Sequence, residues 1–323
     1  MLRCAILALL LSCAAAPKST LLALPNAPAG GVFLDYSVYE PAHDRVWVPA
    51  GGTGGVAVID AKTRAITMIG GFPTKTVERN GKTRLVGPSS ATVGDGVVYI
   101  GNRGDSSICA FDAATLAKRT CAILSGSPDG IQYVASTHEV WVTTPRDQAL
   151  LVLDAQTLAE KAKIATPGEP EGFAVDEAHH RFFTNLEDKD KTLAIDLASH
   201  AIVETWDPKC GEDGPKGLVF DGARLVVVCP DHLETLDPAH DGALGPALPI
   251  GPGLDAIDYR PERHELVAAA GGAATLVFVT LGPDGSLTAR RTVSTAKGAR
   301  NAVLAADGTA FVADGPAGAV LVR

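Results

Sequence analysis

The sequence predicts an all-β fold, a seven-bladed β-propeller with four-stranded blades, from three observations. A short phrase that begins with Asp recurs five times, at intervals of 52, 42, 42 and 41 residues. The first four copies each follow an apolar run typical of a β-strand. A period of about 40 residues with four strands per unit is typical of a propeller blade. The five phrases begin at Asp60, Asp112, Asp154, Asp196 and Asp237.

The clearest blade spans residues 170–207, where four strand-like runs are separated by polar turns. Alignment of the chain on this unit predicts the other six blades. Their bounds are 33–72, 88–124, 128–166, 215–250, 254–294 and about 300–323. The last blade stops after its third strand. Residues 19–25 resemble the outer-strand segment 162–167, so we expect the N-terminal strand to complete blade 7 and close the ring.

The recurring Asp has a local structural cause. An Asp at the start of a turn accepts hydrogen bonds from backbone groups two or three residues further on, and a following Thr or Ser closes the turn. Because the phrase occurs five times, a catalytic role for it is implausible.

Composition fits one large domain, because propellers commonly reach 323 residues in a single unit. The net charge of −9 argues against a nucleic-acid partner held by a general basic field. The first interval is about ten residues longer than the others, and the excess lies in the polar stretch 74–86. We expect a solvated hairpin there, with a partner-binding finger as the alternative.

The N-terminus has the pattern of an export signal. Residues 10–13 resemble a bacterial lipobox, which predicts a lipoprotein signal over 1–12, a lipid anchor on Cys13 and a short spacer over 13–18. The propeller domain then covers 19–323. The alternative is an ordinary cleavage after Ala16, which Pro17 disfavours and which would leave a soluble periplasmic protein. Contact with a membrane is expected only through the anchor.

The four remaining cysteines predict two disulfides, as is usual for an even number in an exported chain. Cys109 and Cys121 are each six residues from Thr115, so they should face each other across a hairpin of blade 2. Cys210 lies in the loop entering blade 5 and Cys229 ends a strand of that blade, so both reach the same face.

Two stretches carry a family resemblance. They are Val-Tyr-Ile-Gly-Asn-Arg-Gly-Asp at 98–105 and Phe-Phe-Thr-Asn-Leu-Glu-Asp at 182–188, each followed by an apolar strand ending in Asp. They resemble the YVTN-type seven-bladed β-propeller repeat family, and the resemblance spans nearly the whole mature chain. It implies an exported bacterial scaffold; roles in the family are poorly defined.

One residue per blade is predicted to face the central channel, just before the innermost strand. The Pro-x-Gly frame around it repeats at 128–130, 170–172 and 215–217, while the middle residue changes. A site built on a repeat would show this variation, although ordinary solvation of a channel mouth would also explain it. The predicted ring is Asp35, Ser89, Asp129, Glu171, Lys216, Asp255 and Arg300.

Two pairs within the ring suggest ligands. Asp129 and Glu171 come from adjacent blades and are candidates for a divalent cation. Lys216 and Arg300 flank blade 6 and are candidates for a carboxylate or phosphate. Nearby loops on the same face add a second set of candidates for the mouth, namely Asn102, Arg103, Asn185 and Asp188.

The predicted function is a non-catalytic ligand- or partner-binding propeller at the bacterial cell envelope. It would be a monomer without a resident cofactor, and would bind a small ligand or an envelope protein. No catalytic residue is assigned, because no nucleophile–base pair and no Gly-x-Ser-x-Gly elbow occurs. The alternative is a metal-assisted hydrolase or lactonase that uses the channel acids. A third hypothesis, a quinone- or haem-dependent oxidoreductase, has less support because no attachment motif is present.

Overall fold

The computed structural model describes residues 19–79 and 81–323. Seven antiparallel sheets are arranged in a ring, which confirms the predicted seven-bladed propeller. The predicted signal 1–12, the anchor Cys13 and the spacer 13–18 lie outside the described residues.

The strands are numbered in chain order, and β1 (Thr20–Ala23) precedes the first blade. Blade 1 contains β2 (Val38–Glu40), β3 (Arg45–Ala50), β4 (Gly55–Asp60) and β5 (Ile66–Ile69). A separate hairpin follows, formed by β6 (Lys75–Arg79) and β7 (Lys82–Val86). Blade 2 contains β8 (Pro88–Gly94), β9 (Val97–Asn102), β10 (Ser107–Asp112) and β11 (Lys118–Ile123). Blade 3 contains β12 (Ile131–Val134), β13 (Glu139–Thr144), β14 (Ala149–Asp154) and β15 (Glu160–Ala165).

Blade 4 contains β16 (Pro170–Asp176), β17 (Arg181–Leu186), β18 (Lys191–Asp196) and β19 (Ile202–Trp206). Blade 5 contains β20 (Leu218–Phe220), β21 (Leu225–Val228) and β22 (His232–Asp237), and its outer strand is split into β23 (Ala243–Leu244) and β24 (Leu248–Pro249). Blade 6 contains β25 (Ile257–Arg260), β26 (Glu265–Ala270), β27 (Thr275–Leu281) and β28 (Leu287–Ser294). Blade 7 contains β29 (Ala302–Leu304), β30 (Ala310–Asp314) and β31 (Ala319–Val322).

Helix is limited to four single 3-10 turns in the part of the chain that is described. None of them is long and apolar enough to cross a membrane. The turns are Gly51–Thr53, Pro145–Asp147, Pro238–His240 and Pro261–Arg263.

The N-terminal strand closes the ring as predicted. Strand β1 pairs antiparallel with β31, with Thr20 opposite Val322 and Ala23 opposite Ala319. Blade 7 therefore obtains its fourth strand from the other end of the chain. This pairing removes the open edges that a linear array of blades would expose.

The core lies between the faces of neighbouring blades. Along β3, Val46 and Val48 pack towards blade 7, while Trp47 between them packs towards blade 2. This alternation follows from the two-residue period of a strand. Between blades 3 and 4, the rings of Trp141 and Phe182 stack with their centroids 4.5 Å apart. Each sheet is therefore buried on both faces, which explains the apolar runs in the sequence.

The repeated Asp turns have the predicted hydrogen bonds. Asp60 accepts from the backbone amides of Lys62 and Thr63, at 3.0 and 2.7 Å. Asp154 accepts from the amides of Gln156 and Thr157, at 3.1 and 2.8 Å. These bonds hold the turn between the third and fourth strands of a blade, so the recurrence has a structural cause.

Both predicted disulfides are confirmed. Cys109 and Cys121 are direct neighbours on the paired strands β10 and β11, with Cα atoms 4.0 Å apart. The second bridge joins Cys210, in the loop entering blade 5, to Cys229 at the end of β21. Each bridge is local and stabilises one blade or its entry.

Candidate functional site

A cavity of about 1090 Å³ lies at one end of the central channel. We call it the channel mouth. Six of the seven predicted ring residues line it; the seventh, Ser89, is fully buried. The six lining residues are Asp35, Asp129, Glu171, Lys216, Asp255 and Arg300. Each stands at or just before an innermost strand, so the repeat brings them together around one axis.

The backbone around these positions is tightly fixed. The Asn185 side chain donates to the carbonyl oxygens of Lys216 and Gly217, at 2.8 and 3.2 Å. The amide of Gly217 donates to the carbonyl of Asp255, at 2.7 Å. A Cβ atom on Gly172 would collide with the backbone of Lys216. The glycine of the Pro-x-Gly frame is therefore required because neighbouring innermost strands approach closely at the channel.

Arg103 neutralises two of the ring acids. Its guanidinium lies 3.3 Å from Asp35 and also contacts Asp129, and both carboxylates are buried. The same group lies over the ring of Phe33, 5.0 Å from the centroid. Asn301 donates to the other oxygen of Asp35, at 3.2 Å. Despite Arg103, burial raises the pKa of Asp35 above its ordinary value.

Glu171 is bound from across the channel by Tyr36. The Tyr36 hydroxyl, on blade 1, lies 3.2 Å from the Glu171 carboxyl on blade 4. The Tyr36 ring stacks on Phe173, with centroids 5.6 Å apart. Burial, together with the charges of Asp35, Glu187 and Asp255, raises the pKa of Glu171 to about 8. Its carboxyl is therefore mainly protonated at neutral pH.

The two cationic ring residues are also paired. The Nζ atom of Lys216 lies 2.7 Å from Oε2 of Glu187, and Nη1 of Arg300 lies 3.2 Å from Oδ2 of Asp255. The predicted pair for a carboxylate or phosphate therefore consists of two cations that already have acidic partners. Both basic side chains of the ring are therefore held in place by carboxylates before any ligand enters.

The candidate metal ligands are not assembled into a metal centre. Asp129 contacts Arg103, and Glu171 contacts Tyr36. Within the described residues, no group of three or more His, Cys, Asp or Glu side chains is arranged to hold a metal ion. Sequence reasoning missed Tyr36 and Asn301, although both immediately follow a ring position.

The insertion at 74–86 is a hairpin, and it forms one wall of the channel mouth. Sequence reasoning treated this hairpin and the ring as separate features. The signal was available, because the insertion lies between the last strand of blade 1 and the first strand of blade 2, which is a channel-side connection. Its cavity-lining residues are Lys75, Val77, Thr83, Arg84, Leu85 and Val86.

The base of the hairpin is fixed to blade 2. Asn102 donates to the carbonyl of Pro73 at 3.1 Å, and the amide of Arg103 donates to the carbonyl of Gly87 at 2.9 Å. Gly104 packs so closely on Pro73 that a Cβ atom would clash. Of the second set of candidates for the mouth, Arg103 lines the cavity. The side chains of Asn102 and Asn185 are buried and donate hydrogen bonds to backbone carbonyl groups. Asp188 accepts from the amide of Glu169, at 2.7 Å.

Comparison with solved structures shows the fold alone. Hydrazine synthase of Kuenenia stuttgartiensis is 15% identical, with a TM-score of 0.74 over 91% of this chain and 95% of that chain. A catalytically inactive histidine-to-alanine variant of virginiamycin B lyase from Staphylococcus aureus, solved with quinupristin, is 15% identical, with a TM-score of 0.71 over 94% and 98%. A chain of the mitotic checkpoint complex is 14% identical, with a TM-score of 0.75 over 100% and 99%. No protein-family model and no curated protein matches this sequence.

Proposed function

We propose that this protein is a non-catalytic binding propeller of the bacterial cell envelope, and that the channel mouth holds a small polar ligand or a segment of an envelope partner. One observation carries the proposal. Six ring residues from six blades and a separate hairpin line a single cavity of about 1090 Å³. Ligand sites are commonly preformed cavities of about 300–1,000 Å³ with a few oriented polar groups.

The pairing of charges supports binding over catalysis. Arg103, Lys216 and Arg300 each contact a carboxylate, so the polar groups are oriented before a ligand arrives. Such preorganisation reduces the cost of ordering side chains on binding. The lyase among the structural neighbours is inactive in a histidine-to-alanine variant. In the described part of this chain, the residues that line the cavity include no histidine.

The experiment is a thermal-shift screen of small polar metabolites, followed by titration of the hits. A hit should bind Arg300→Ala and Lys216→Ala about tenfold more weakly than wild type, because a charge-assisted hydrogen bond contributes about 1.5–3 kcal/mol. The matched control is Lys163→Ala, on the exposed outer strand β15, which should bind as wild type does. Equal affinity of a hit for wild type and both ring variants would contradict the proposal.

A second function has one observation in its favour. Glu171 is a carboxyl with a pKa of about 8 inside a cavity, and such groups are typical of general acids. A hydrolase or lactonase would use it to protonate a leaving group. A lactone and ester panel with Glu171→Gln tests this, and metal analysis of protein purified without chelator tests the metal-assisted form. Stoichiometric metal that is lost in Asp129→Ala would favour the enzyme.

We also propose export with a lipid on Cys13, supported by the lipobox-like residues 10–13 and by two disulfides, which favour an oxidising compartment. The YVTN-type resemblance agrees with this location. Fractionation of cells that express Cys13→Ser tests the anchor. The variant should move from the membrane fraction to the soluble periplasm, and a wild type already found in the soluble fraction would contradict it.

A further inference from the structure

We propose that the ligand of the channel mouth carries an anionic group, a carboxylate or a phosphate, and that Lys75, Arg84 and Arg146 bind this group at the rim. The inference rests on the proposed function, because it names the chemistry of the ligand for the same cavity. It concerns residues that the ring prediction did not include.

The three rim cations differ in their partners from the other three cations that line the cavity. Arg103, Lys216 and Arg300 each form an ion pair with a carboxylate. Lys75, Arg84 and Arg146 also line the cavity and are exposed, and none of them forms an ion pair within the described residues. Positive charge at the mouth that is not neutralised by the protein therefore lies at the rim.

The hairpin contributes two basic residues, Lys75 and Arg84, to the cavity lining. Lys75 pairs with Val86, and Val77 pairs with Arg84. Directly paired residues of an antiparallel hairpin project to the same side, and all four of these residues line the channel mouth. Thr83 and Leu85, at the alternate positions of the register, also line the cavity, whereas Glu78, the acid of the hairpin, does not. The part of the hairpin that borders the cavity therefore carries two basic residues and no acid.

Arg146 adds a third cation from another part of the ring. It stands in the 3-10 turn Pro145–Asp147, between the second and third strands of blade 3. Within the described residues, the lining carboxyls without a cation partner are Glu169 and Glu171 of blade 4, and Glu171 is mainly protonated at neutral pH. The anionic group of a ligand is therefore expected at the unpaired cations of the hairpin and blade 3, and not beside Glu169.

The three rim cations stand out against the negative charge of the whole protein. With a net charge of −9, the protein as a whole repels anions. Three cations on the wall of one cavity act against that field over a short distance, within about one Debye length of a bound anion. An anionic group would gain most of its attraction only after entering the mouth.

The test is isothermal titration of the whole protein with two probes, citrate for carboxylates and inorganic phosphate, at constant ionic strength set by sodium chloride. The double variant Lys75→Gln with Arg84→Gln should lower the affinity for the preferred probe at least tenfold, and Arg146→Gln should lower it severalfold. The matched control is Lys118→Gln with Lys163→Gln, which removes the same charge from exposed positions on β11 and β15. The control should bind as wild type does.

Citrate binding alone would identify a carboxylate ligand, and phosphate binding alone a phosphate. Wild type that binds neither probe above chloride would overturn the inference, as would equal binding by the rim variant at an unchanged melting temperature. If a neutral or cationic metabolite binds and Arg300→Ala weakens it while the rim variant does not, the channel mouth remains a binding site and only the anionic assignment fails.

Discussion

Carboxylates recur from blade to blade both in the turns and at the channel mouth, and well-defined examples from the two regions behave in opposite ways. Hydrogen bonds from the backbone and side chain of Thr157 lower the pKa of Asp154, which lies near the surface. Burial raises the pKa of Asp35 and of Glu171 at the mouth. Asp154 is stabilised as an anion by hydrogen bonds from its own turn. Asp35 and Glu171 are buried where the charged form is disfavoured, which is typical of functional sites.

The largest expected effect follows from removing the cation that both buried mouth acids share. Arg103→Ala removes the ion-pair partner of both Asp35 and Asp129, and breaking a buried pair typically costs about 3–5 kcal/mol. Because Arg103 is 22% exposed, we expect a loss of about 3 kcal/mol in the free energy of unfolding. Urea denaturation at pH 7 measures it.

The matched control for this change is Arg300→Ala. Arg300 is 39% exposed and has one acidic partner, Asp255, so its loss should cost less than about 1 kcal/mol. If the two variants lost equal amounts of unfolding free energy, the mouth would not contain both a buried structural ion pair at Arg103 and an accessible ion pair at Arg300.

The two regions also differ in how far the sequence could predict them. The turns repeat within a few residues of each Asp, so their bonds and the blades follow from local chemistry. The disulfides were predictable because Cys109 and Cys121 flank one turn symmetrically. The pairing of Tyr36 with Glu171 joins residues 135 positions apart on blades that face each other across the channel. Such a contact depends on the width of the closed ring, which no local spacing expresses.

The same reason explains the hairpin. Its length and polarity were visible in the sequence, and its strands alternate regularly. Whether it leans over the channel or away from it is decided at its base, where Asn102, Gly104 and Gly87 contact the connecting backbone. These contacts come from blade 2 and from the end of blade 1's second strand, so they exist only after the blades have packed.

Replacement of Glu171 by Gln should have an effect of intermediate size, and it distinguishes the mouth acid from the turn acids by the sign of the pH dependence of stability. The folded state raises the pKa of Glu171 from 4.5 to about 8, so it holds a proton that the unfolded chain releases between these values. Stability should therefore fall as the pH rises through this window. The glutamine of Glu171→Gln does not titrate. We therefore expect the free energy of unfolding of this variant to exceed that of wild type by about 2 kcal/mol at pH 9. The difference is smaller than the full pKa shift implies because the Glu171 side chain is partly exposed.

At pH 5 the Glu171→Gln variant and wild type should unfold at similar urea concentrations. The comparison needs urea curves at both pH values on both proteins, with circular dichroism to show that the fold is retained. A variant that is less stable than wild type at pH 9 would mean that the ionised carboxylate is stabilised at the mouth, contrary to the environment that the neighbouring acids create.

The smallest expected effect is at a turn, and it has the opposite sign. Asp154 accepts three hydrogen bonds, from the amide of Gln156 and from the amide and hydroxyl of Thr157, and its pKa is lowered. A lowered pKa contributes stability above the unfolded value of about 3.9, and this stability is lost as the pH falls. Asp154→Ala should lower the free energy of unfolding by about 1 kcal/mol at pH 7, the usual contribution of exposed turn hydrogen bonds, and by much less at pH 3.

The control, Gln156→Ala, changes an exposed neighbour of the same turn and should leave the free energy of unfolding unchanged at both pH values. If Asp154→Ala instead lost more stability at pH 3 than at pH 7, the turn acid would resemble Glu171, and the division between structural turns and a functional mouth would fail.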